Sequence, residues 1–347
     1  MSISRAIWRS RSPWNNDHKG GCMHVLITGG AGFIGSHLAE YHLNKGDTVH
    51  VVDDLSTGCM ANVTPFLGNE KFHFSEADIL TWDDLGQAAT WADRIYHMAA
   101  VVGVFRVLED PIRVLATNIA GTERLLRMAI AGKWKPQIVI ASSAEIYGPS
   151  DADVLSEDAM LYVYSGAKSR WNYAISKLAD ESLGLSYARQ HDLPICIVRP
   201  FNTVGPRQTG RYGMVVPRFI EQVMHDHPIT IFGGGEQTRS FCDVRDTVVA
   251  MDLLAGSPQA KAQIINVGND REITINGLAD LICERAKKSV SRQNLSYAEA
   301  YGQQYDDIIH RRPSLKKLFQ LTNFKHQWSL ENTLDDLIAR QQERQVS

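Results

Sequence analysis

Tyr173 and Lys177 lie four residues apart in the segment "NYAISK". That spacing places both side chains on one face of a helix. A phenol with a pKa of about 10 is a poor base at neutral pH. A neighbouring ammonium favours the phenolate, and so does any further positive charge in the same partly dry site. Reaching about 7 takes roughly 4 kcal/mol of differential stabilisation, which two adjacent cations can supply. About 30 residues upstream, "IVIASSAEIYG" reads as a strand running into a loop, where sheet C-terminal ends present ligand contacts. Ser143 in that loop supplies a hydroxyl to hold a substrate oxygen beside Tyr173.

The second chemical feature is "TGGAGFIG", residues 28–35. It fits G-x-G-x-x-G through Gly30, Gly32 and Gly35, and G-x-x-G-x-x-G through Gly29, Gly32 and Gly35. A strand precedes it and a helix follows. In that setting a glycine turn brings backbone N–H groups to a pyrophosphate at a helix N-terminus. Ser143, Tyr173 and Lys177 downstream select the second template. Asp53 follows Gly35 by 18 residues, at the end of the next strand. A carboxylate there accepts from the ribose hydroxyls and repels a 2′-phosphate, so NAD is expected rather than NADP.

These groups need a scaffold, and the pattern of elements supplies one. Strands are expected at residues 23–28, 48–52, 71–74, 94–97, 137–141, 195–198 and 263–267. Helices are expected at 33–45, around 111–131 and at 173–190. Strands alternating with helices argue for a doubly wound parallel sheet with helices on both faces. Beyond Arg199 glycine, proline and arginine become dense. Arg207, Arg211, Arg218, Arg239, Arg245, Arg311 and Arg312 all fall there. This reads as a smaller, loop-rich substrate lobe, interleaved with the first domain because residues 263–267 return as a strand. The expected division is a disordered tail at 1–22, a nucleotide domain at 23–199, and a lobe at 200–347.

Composition narrows the class. The chain has 347 residues, 44% hydrophobic and 22% charged, with a formal charge of -3, as in ordinary soluble enzymes. That charge gives no global attraction to nucleic acid or an anionic membrane. No apolar run approaches the roughly 20 residues of a membrane span, and a cytoplasmic location is expected. Five scattered cysteines without a C-x-x-C pair argue against a disulfide framework or zinc site. His225-Asp226-His227 before Pro228 reads as a solvated turn, and no metal is expected.

The motifs then accumulate in order: "TGGAGFIG", "VVDDLSTG", "ADI" (77–79), "HMAA" (97–100), "TNIAGT" (117–122), "SSAEIYG", "YAISK" and "RPFNTVGPR". Together they resemble the extended short-chain dehydrogenase/reductase family that modifies nucleotide sugars, from about residue 23 to 313. The resemblance implies a Rossmann-type domain holding NAD, a small C-terminal substrate lobe, and homodimers built through paired helices. It implies cofactor contacts from Gly29, Gly32, Phe33, Ile34, Gly35, Asp53, Asp78, Ile79, Ala99 and Asn118, besides Tyr173 and Lys177. Ser143, Tyr173 and Lys177 match the catalytic trio, with Glu145 beside them. Asn202, Arg239 and Arg311 match contacts to the nucleotide sugar.

Family members share a first step, in which the Tyr takes the proton of a sugar hydroxyl while the carbon's hydride passes to NAD⁺. The resulting ketone is then epimerised, dehydrated or, in a uronic acid, decarboxylated. Dehydratases usually carry Asp-Glu after the Ser, and decarboxylases Ser-Glu; this chain has Ala144-Glu145. Elimination needs an acid as well as a base, so the missing Asp argues against dehydration. The favoured expectation is a 4-epimerase, an isomerase acting on a UDP-hexose or UDP-hexuronate. The alternative is a decarboxylase, since "SRWNYAISK" and "HRRPS" resemble bacterial UDP-glucuronate decarboxylases. A non-catalytic NAD-binding scaffold would generally have lost the Tyr–Lys pair.

Overall fold

The computed structural model describes residues 21–102, 107, 109–150, 152–162, 171–210, 214–301 and 311–346. The tail up to residue 20, Arg170 and Arg211 lie outside them. Apolar, β-branched runs form the strands β1 (His24–Thr28), β2 (Thr48–Asp53), β3 (Phe72–Glu76), β4 (Arg94–His97), β5 (Gln137–Ala141) and β6 (Ile195–Pro200). Four short ones, β7 (Thr203–Val204), β8 (Ile229–Phe232), β9 (Thr238–Ser240) and β10 (Cys242–Asp243), precede the return to the main sheet at β11 (Gln263–Val267). β12 (Glu272–Thr274) and β13 (Arg292–Leu295) follow.

The main sheet is parallel throughout, in the order β11-β6-β5-β4-β1-β2-β3. The chain order reverses between β1 and β4, and ligands of such sheets sit at that point, outside the carboxyl ends of the strands.

Successive strand residues point to opposite faces, so each strand feeds two cores. Val25, Ile27, Val49, Val51 and Val198 pack under α1 (Phe33–Asn44). Leu26, Ile95, Ile138, Ile140 and Ile197 pack under α2 (Leu85–Trp91), α3 (Pro111–Ala129) and α4 (Asn172–His191). Pro111 starts α3, with Asp110 accepting from Arg113 N at 3.0 Å as its cap. A left-handed residue, Asp192, ends α4.

The second lobe has its own core. α5 (Val215–Met224) and α7 (Ile275–Ala286) bury Phe219, Ile220, Val223, Leu278 and Ile282 together with Leu334 of the terminal helix Leu330–Val346. Two-stranded pairs β8–β13 and β9–β12 flank it. Between α5 and α7 lies α6 (Val244–Ala255), which sequence periodicity does not mark. Its Val248, Met251 and Leu254 cover the main sheet beside α1, so this late segment completes the first core. His225 and Asp226 lie in an exposed turn after α5, with Lys288 holding Asp226 at 2.9 Å. No helix among the described residues is long and apolar enough to cross a membrane.

Buried histidines link the fold to pH. Desolvation holds His50 and His97 down to about 3, and His37 to about 4. A folded-state value below the ordinary one of about 6.5 means that the unfolded chain takes up the proton first. Stability therefore falls as pH drops through about 6.5 and keeps falling toward the folded values. Each group should remove on the order of 2 kcal/mol between pH 7 and pH 5. Urea unfolding should show His50→Gln losing about 2 kcal/mol less over that interval than the parent chain. Equal losses in the two proteins would remove His50 from the account.

Candidate active site

The buried face of α4 is polar: Ser176, Lys177, Asp180 and Glu181 all lie inside. Surface helices normally bury an apolar stripe, and breaches of that rule mark functional positions. Each buried polar group has a partner. Asn118 of α3 donates from Nδ2 to Ser176 Oγ at 2.9 Å and accepts Val101 N at 2.8 Å. Lys177 Nζ is 3.0 Å from Asp180 Oδ2. Glu181 takes both arms of Arg199 at 2.8 Å.

Tyr173 is the half-buried member of the stripe, against Val101, Val107 and Val114. This apolar contact pushes its phenol up, opposed by the Lys177 ammonium and by a hydrogen bond with Ser143. Ser143 stands where β5 runs into a 3-10 turn (Ala144–Tyr147), and its Oγ accepts Glu145 N at 3.1 Å. Glu145 Oε1 in turn accepts Arg311 Nη1 at 2.7 Å. Arg311 is buried, and its carbonyl accepts Ser240 Oγ at 3.4 Å. Asn202 donates to Ser240 O at 2.9 Å, while Arg239 lies one residue away on β9. Residues distant in sequence, Ser143, Glu145, Tyr173 and Arg311, thus share one site, with Asn202 and Arg239 at its lobe side.

The glycine turn shows why both templates match. Gly29 has a φ of +69°, and a Cβ there would lie 2.6 Å from Ala99 N at the end of β4. A Cβ on Gly35 would lie 2.3 Å from the Gly29 carbonyl oxygen, and one on Gly32 3.1 Å from it. Gly29, Gly32 and Gly35 therefore close round a single carbonyl. Gly30 is constrained differently, since its Cβ would meet Val51 Cγ1 at 2.6 Å. The first turn of α1, with Phe33 and Ile34, carries neither an acidic residue nor a side-chain cap. Its free N–H groups suit a pyrophosphate.

Asp53 sits at the tip of β2, where it accepts Ala31 N at 2.9 Å and Leu55 N at 2.8 Å. Burial raises its pKa and these two bonds counter it. Each oxygen retains acceptor capacity for a ribose hydroxyl. Asp78 closes the turn after β3, accepting Leu80 N at 2.8 Å, and Arg124 of α3 holds the Ile79 carbonyl. Asn118, which the resemblance implies as a cofactor contact, is buried between α3, α4 and the loop after β4. Its amide is spent inside the protein, where it fixes the loop after β4 and the helix carrying Tyr173. The pairing of Arg311 with Glu145 and the role of Asp180 are not legible in motif spacing. The one available signal was the i, i+3 placement of Asp180 on the Lys177 face.

Residues 25–268 match the family model described as "NAD dependent epimerase/dehydratase family". The chain belongs to that family. As a member it uses NAD, and the glycine cradle, open α1 terminus and Asp53 fit that cofactor. Among its relatives, UDP-N-acetyl-alpha-D-glucosaminuronate decarboxylase of Bacillus cytotoxicus is 35% identical over 90% of this chain and 96% of the relative. UDP-glucuronic acid decarboxylase 1 of Xenopus tropicalis is 32% identical over 90% of this chain and 71% of its own length. A solved structure of UDP-glucuronic acid 4-epimerase from Bacillus cereus, in complex with UDP-glucuronic acid and NAD, is 27% identical. It covers 93% of this chain and 100% of its own, with a TM-score of 0.82.

The cradle yields a direct prediction. In Gly35→Ala the new methyl group meets a backbone oxygen, so the turn must open, a strain of about 1–3 kcal/mol. NAD affinity should fall at least about tenfold by isothermal titration calorimetry, since 1.4 kcal/mol is one decade. Unchanged affinity in the folded variant would contradict the packing around Gly29.

Proposed function

We propose that this chain is a UDP-hexuronate decarboxylase, a lyase that works through a transient 4-keto sugar. This reverses the order expected from sequence, where 4-epimerisation came first. The observation that carries the reading is Arg311, a buried guanidinium fixed against Glu145 beside Ser143 and Tyr173. A uronate carboxylate calls for a cation at that place, which favours a uronate over a neutral hexose as substrate, while the choice of decarboxylation over epimerisation rests on the relatives. The decarboxylase names of the 35% and 32% identical relatives support it independently. A 4-epimerase remains the second reading, favoured by the Bacillus cereus structure and by Ala144 in place of the usual decarboxylase serine.

NAD, when bound, supplies the hydride acceptor and a positively charged ring. The chain does the rest. Gly29, Gly32 and Gly35 hold the pyrophosphate and Asp53 the adenosine ribose, with Asp78 and Ile79 closing the adenine side. Ser143 holds the C4 oxygen, and Tyr173 takes its proton as C4 becomes a ketone. Lys177 keeps the phenolate accessible. The product of that step is a β-keto acid. Its C5–C6 bond breaks, the electron pair moves into the C4–C5 enolate, and CO₂ departs. Charge migrates from the carboxylate near Arg311 to the C4 oxygen near Ser143 and Tyr173. C5 then takes a proton that comes from solvent, and we assign its delivery to Glu145, which can carry it once Arg311 has turned from it to the substrate carboxylate. As C4 is restored to an alcohol, Tyr173 returns its proton to the oxygen. The net reaction consumes one proton and releases CO₂. Asn202 and Arg239 are assigned to the diphosphate side of the substrate.

We infer likewise that the chain pairs with a second copy through α3 and α4. Leu115, Ala116, Ile119, Ala120 and Leu183 line a shallow apolar groove there, with little polar lining beyond Glu123. Ile119→Glu should convert a dimer to a monomer in sedimentation velocity, while a parent chain that is already monomeric would refute the pairing.

The reaction is tested with UDP-glucuronate, UDP-N-acetylglucosaminuronate and UDP-glucose, followed by mass spectrometry and NMR. Loss of the mass of CO₂ from a uronate supports decarboxylation. Unchanged mass with inverted C4 replaces it with epimerisation. Tyr173→Phe should abolish turnover while NAD stays bound, and full activity in that variant would sink the mechanism.

A further inference from the structure

The mechanism leaves Asp180, a buried charge beside Lys177, without a task. Asp180 is completely buried, three residues beyond Lys177, with its Oδ2 at 3.0 Å from Lys177 Nζ. A buried ion pair is weak grounds for a stabilising role, because desolvation of both charges offsets their attraction. Replacing such pairs by apolar residues is often neutral or favourable.

The surroundings of Asp180 are directional. Ala99 N donates to Thr28 Oγ1 at 3.3 Å, and Thr28 Oγ1 lies 2.7 Å from His97 Nδ1. His97 Nε2 lies 2.9 Å from Thr122 Oγ1, and the Thr122 hydroxyl faces the Asp180 carboxylate. A carboxylate only accepts, so the Thr122 proton is turned toward Asp180. Thr122 then accepts from His97 Nε2–H, which leaves Nδ1 bare to accept from Thr28. The chain of donors starts at the end of β1, crosses β4 and α3, and finishes on Asp180, across from the ammonium of Lys177. The other charges that bear on this cluster are Glu181, held by Arg199, and Glu145 beyond Tyr173, held by Arg311.

We propose that Asp180, with the Thr122 hydroxyl beside it, is a positioning residue that keeps the Lys177 ammonium charged and fixed on the Tyr173 side of α4. The proposal rests on the Tyr173–Lys177 pair of the proposed function, and holds whether the ketone is decarboxylated or epimerised. In this enclosure burial alone would strip the lysine of its proton. Asp180 is the foremost of the groups that oppose this, with Tyr173 and Glu181 beside it, and together they leave Lys177 above its ordinary value. Asp180 also opposes phenolate formation at Tyr173, but there its influence is smaller than that of Lys177. The pair therefore gains more from a lysine that stays charged than it loses to the nearby carboxylate.

The test uses the full chain loaded with NAD, labelled with ε-¹³C-lysine, and compared with Lys177→Arg to assign the signal. In the parent protein Lys177 should remain protonated beyond the ordinary lysine value of 10.5. In Asp180→Asn it should titrate at least about one pH unit lower. The kcat profile with UDP-glucuronate should gain an alkaline limb at the same pH, with KM little changed. A folded Asp180→Asn whose Lys177 titration is unmoved, or whose kcat falls equally at every pH, overturns the proposal. Should that variant fail to fold, the parent chain still decides, because deprotonation of Lys177 clearly below 10.5 also overturns it. Thr122→Val, which removes the hydroxyl facing Asp180, should move the Lys177 titration in the same direction as Asp180→Asn. Failure to release CO₂ with the expected lysine titrations would count against the proposed reaction and leave Asp180's role intact.

Discussion

The site depends on one buried interaction, the bidentate pairing of Arg199 with Glu181. Arg199 ends β6 and Glu181 lies on α4, so the pair fixes the helix that carries Tyr173 and Lys177 to the sheet. The guanidinium also donates to Tyr147 Oη at 2.9 Å and to the Glu157 carbonyl at 3.2 Å. Tyr147 passes the restraint on, donating to Asn266 Oδ1 at 2.7 Å, and Asn266 Nδ2 reaches the Leu155 carbonyl at 2.9 Å. The 3-10 turn bearing Glu145, the helix bearing Tyr173 and strand β11 are thereby tied to a single cation. Such a network is costly unless every member is satisfied, and removal of one charge would leave another stranded. Positional accuracy at Ser143 and Tyr173 is what that cost secures.

Much of this architecture was legible because its signals are local. β-branched runs ending at glycine or aspartate marked the strands to within a residue or two, and the returning strand at 263–267 pairs with β6 as expected. The glycine turn, Asp53 and the Tyr–Lys spacing are likewise properties of short segments. What stayed hidden depends on distance. α6 carries Asp243, Asp246 and Asp252 within or beside an apolar helix, and nothing local says what those carboxylates meet. In the fold Asp252 meets Arg94, Lys45 and Tyr41, and Asp246 accepts the backbone of Gln327 at 3.0 Å. Their partners lie 81 to 211 residues away, beyond any periodic pattern. The internal bonds of Asn118 are hidden for the same reason, since a motif reports that a residue matters without reporting which of its atoms are already engaged.

The preference for one reaction over another follows from how the substrate is held. Decarboxylation and epimerisation share the same oxidation, and a uronate that has become a 4-ketone is a β-keto acid open to both. Epimerisation requires the ketone to turn its opposite face to the hydride donor before reduction. On the proposed reading a uronate carboxylate would lie at Arg311, which is itself held by Glu145, and a carboxylate fixed there would resist that rotation. Loss of CO₂ would need no rotation, only displacement of charge from the Arg311 end toward the oxygen held by Ser143 and Tyr173. Ala144, which removes a hydroxyl usual in decarboxylases, places a correspondingly greater share of the work on the Glu145–Arg311 pair.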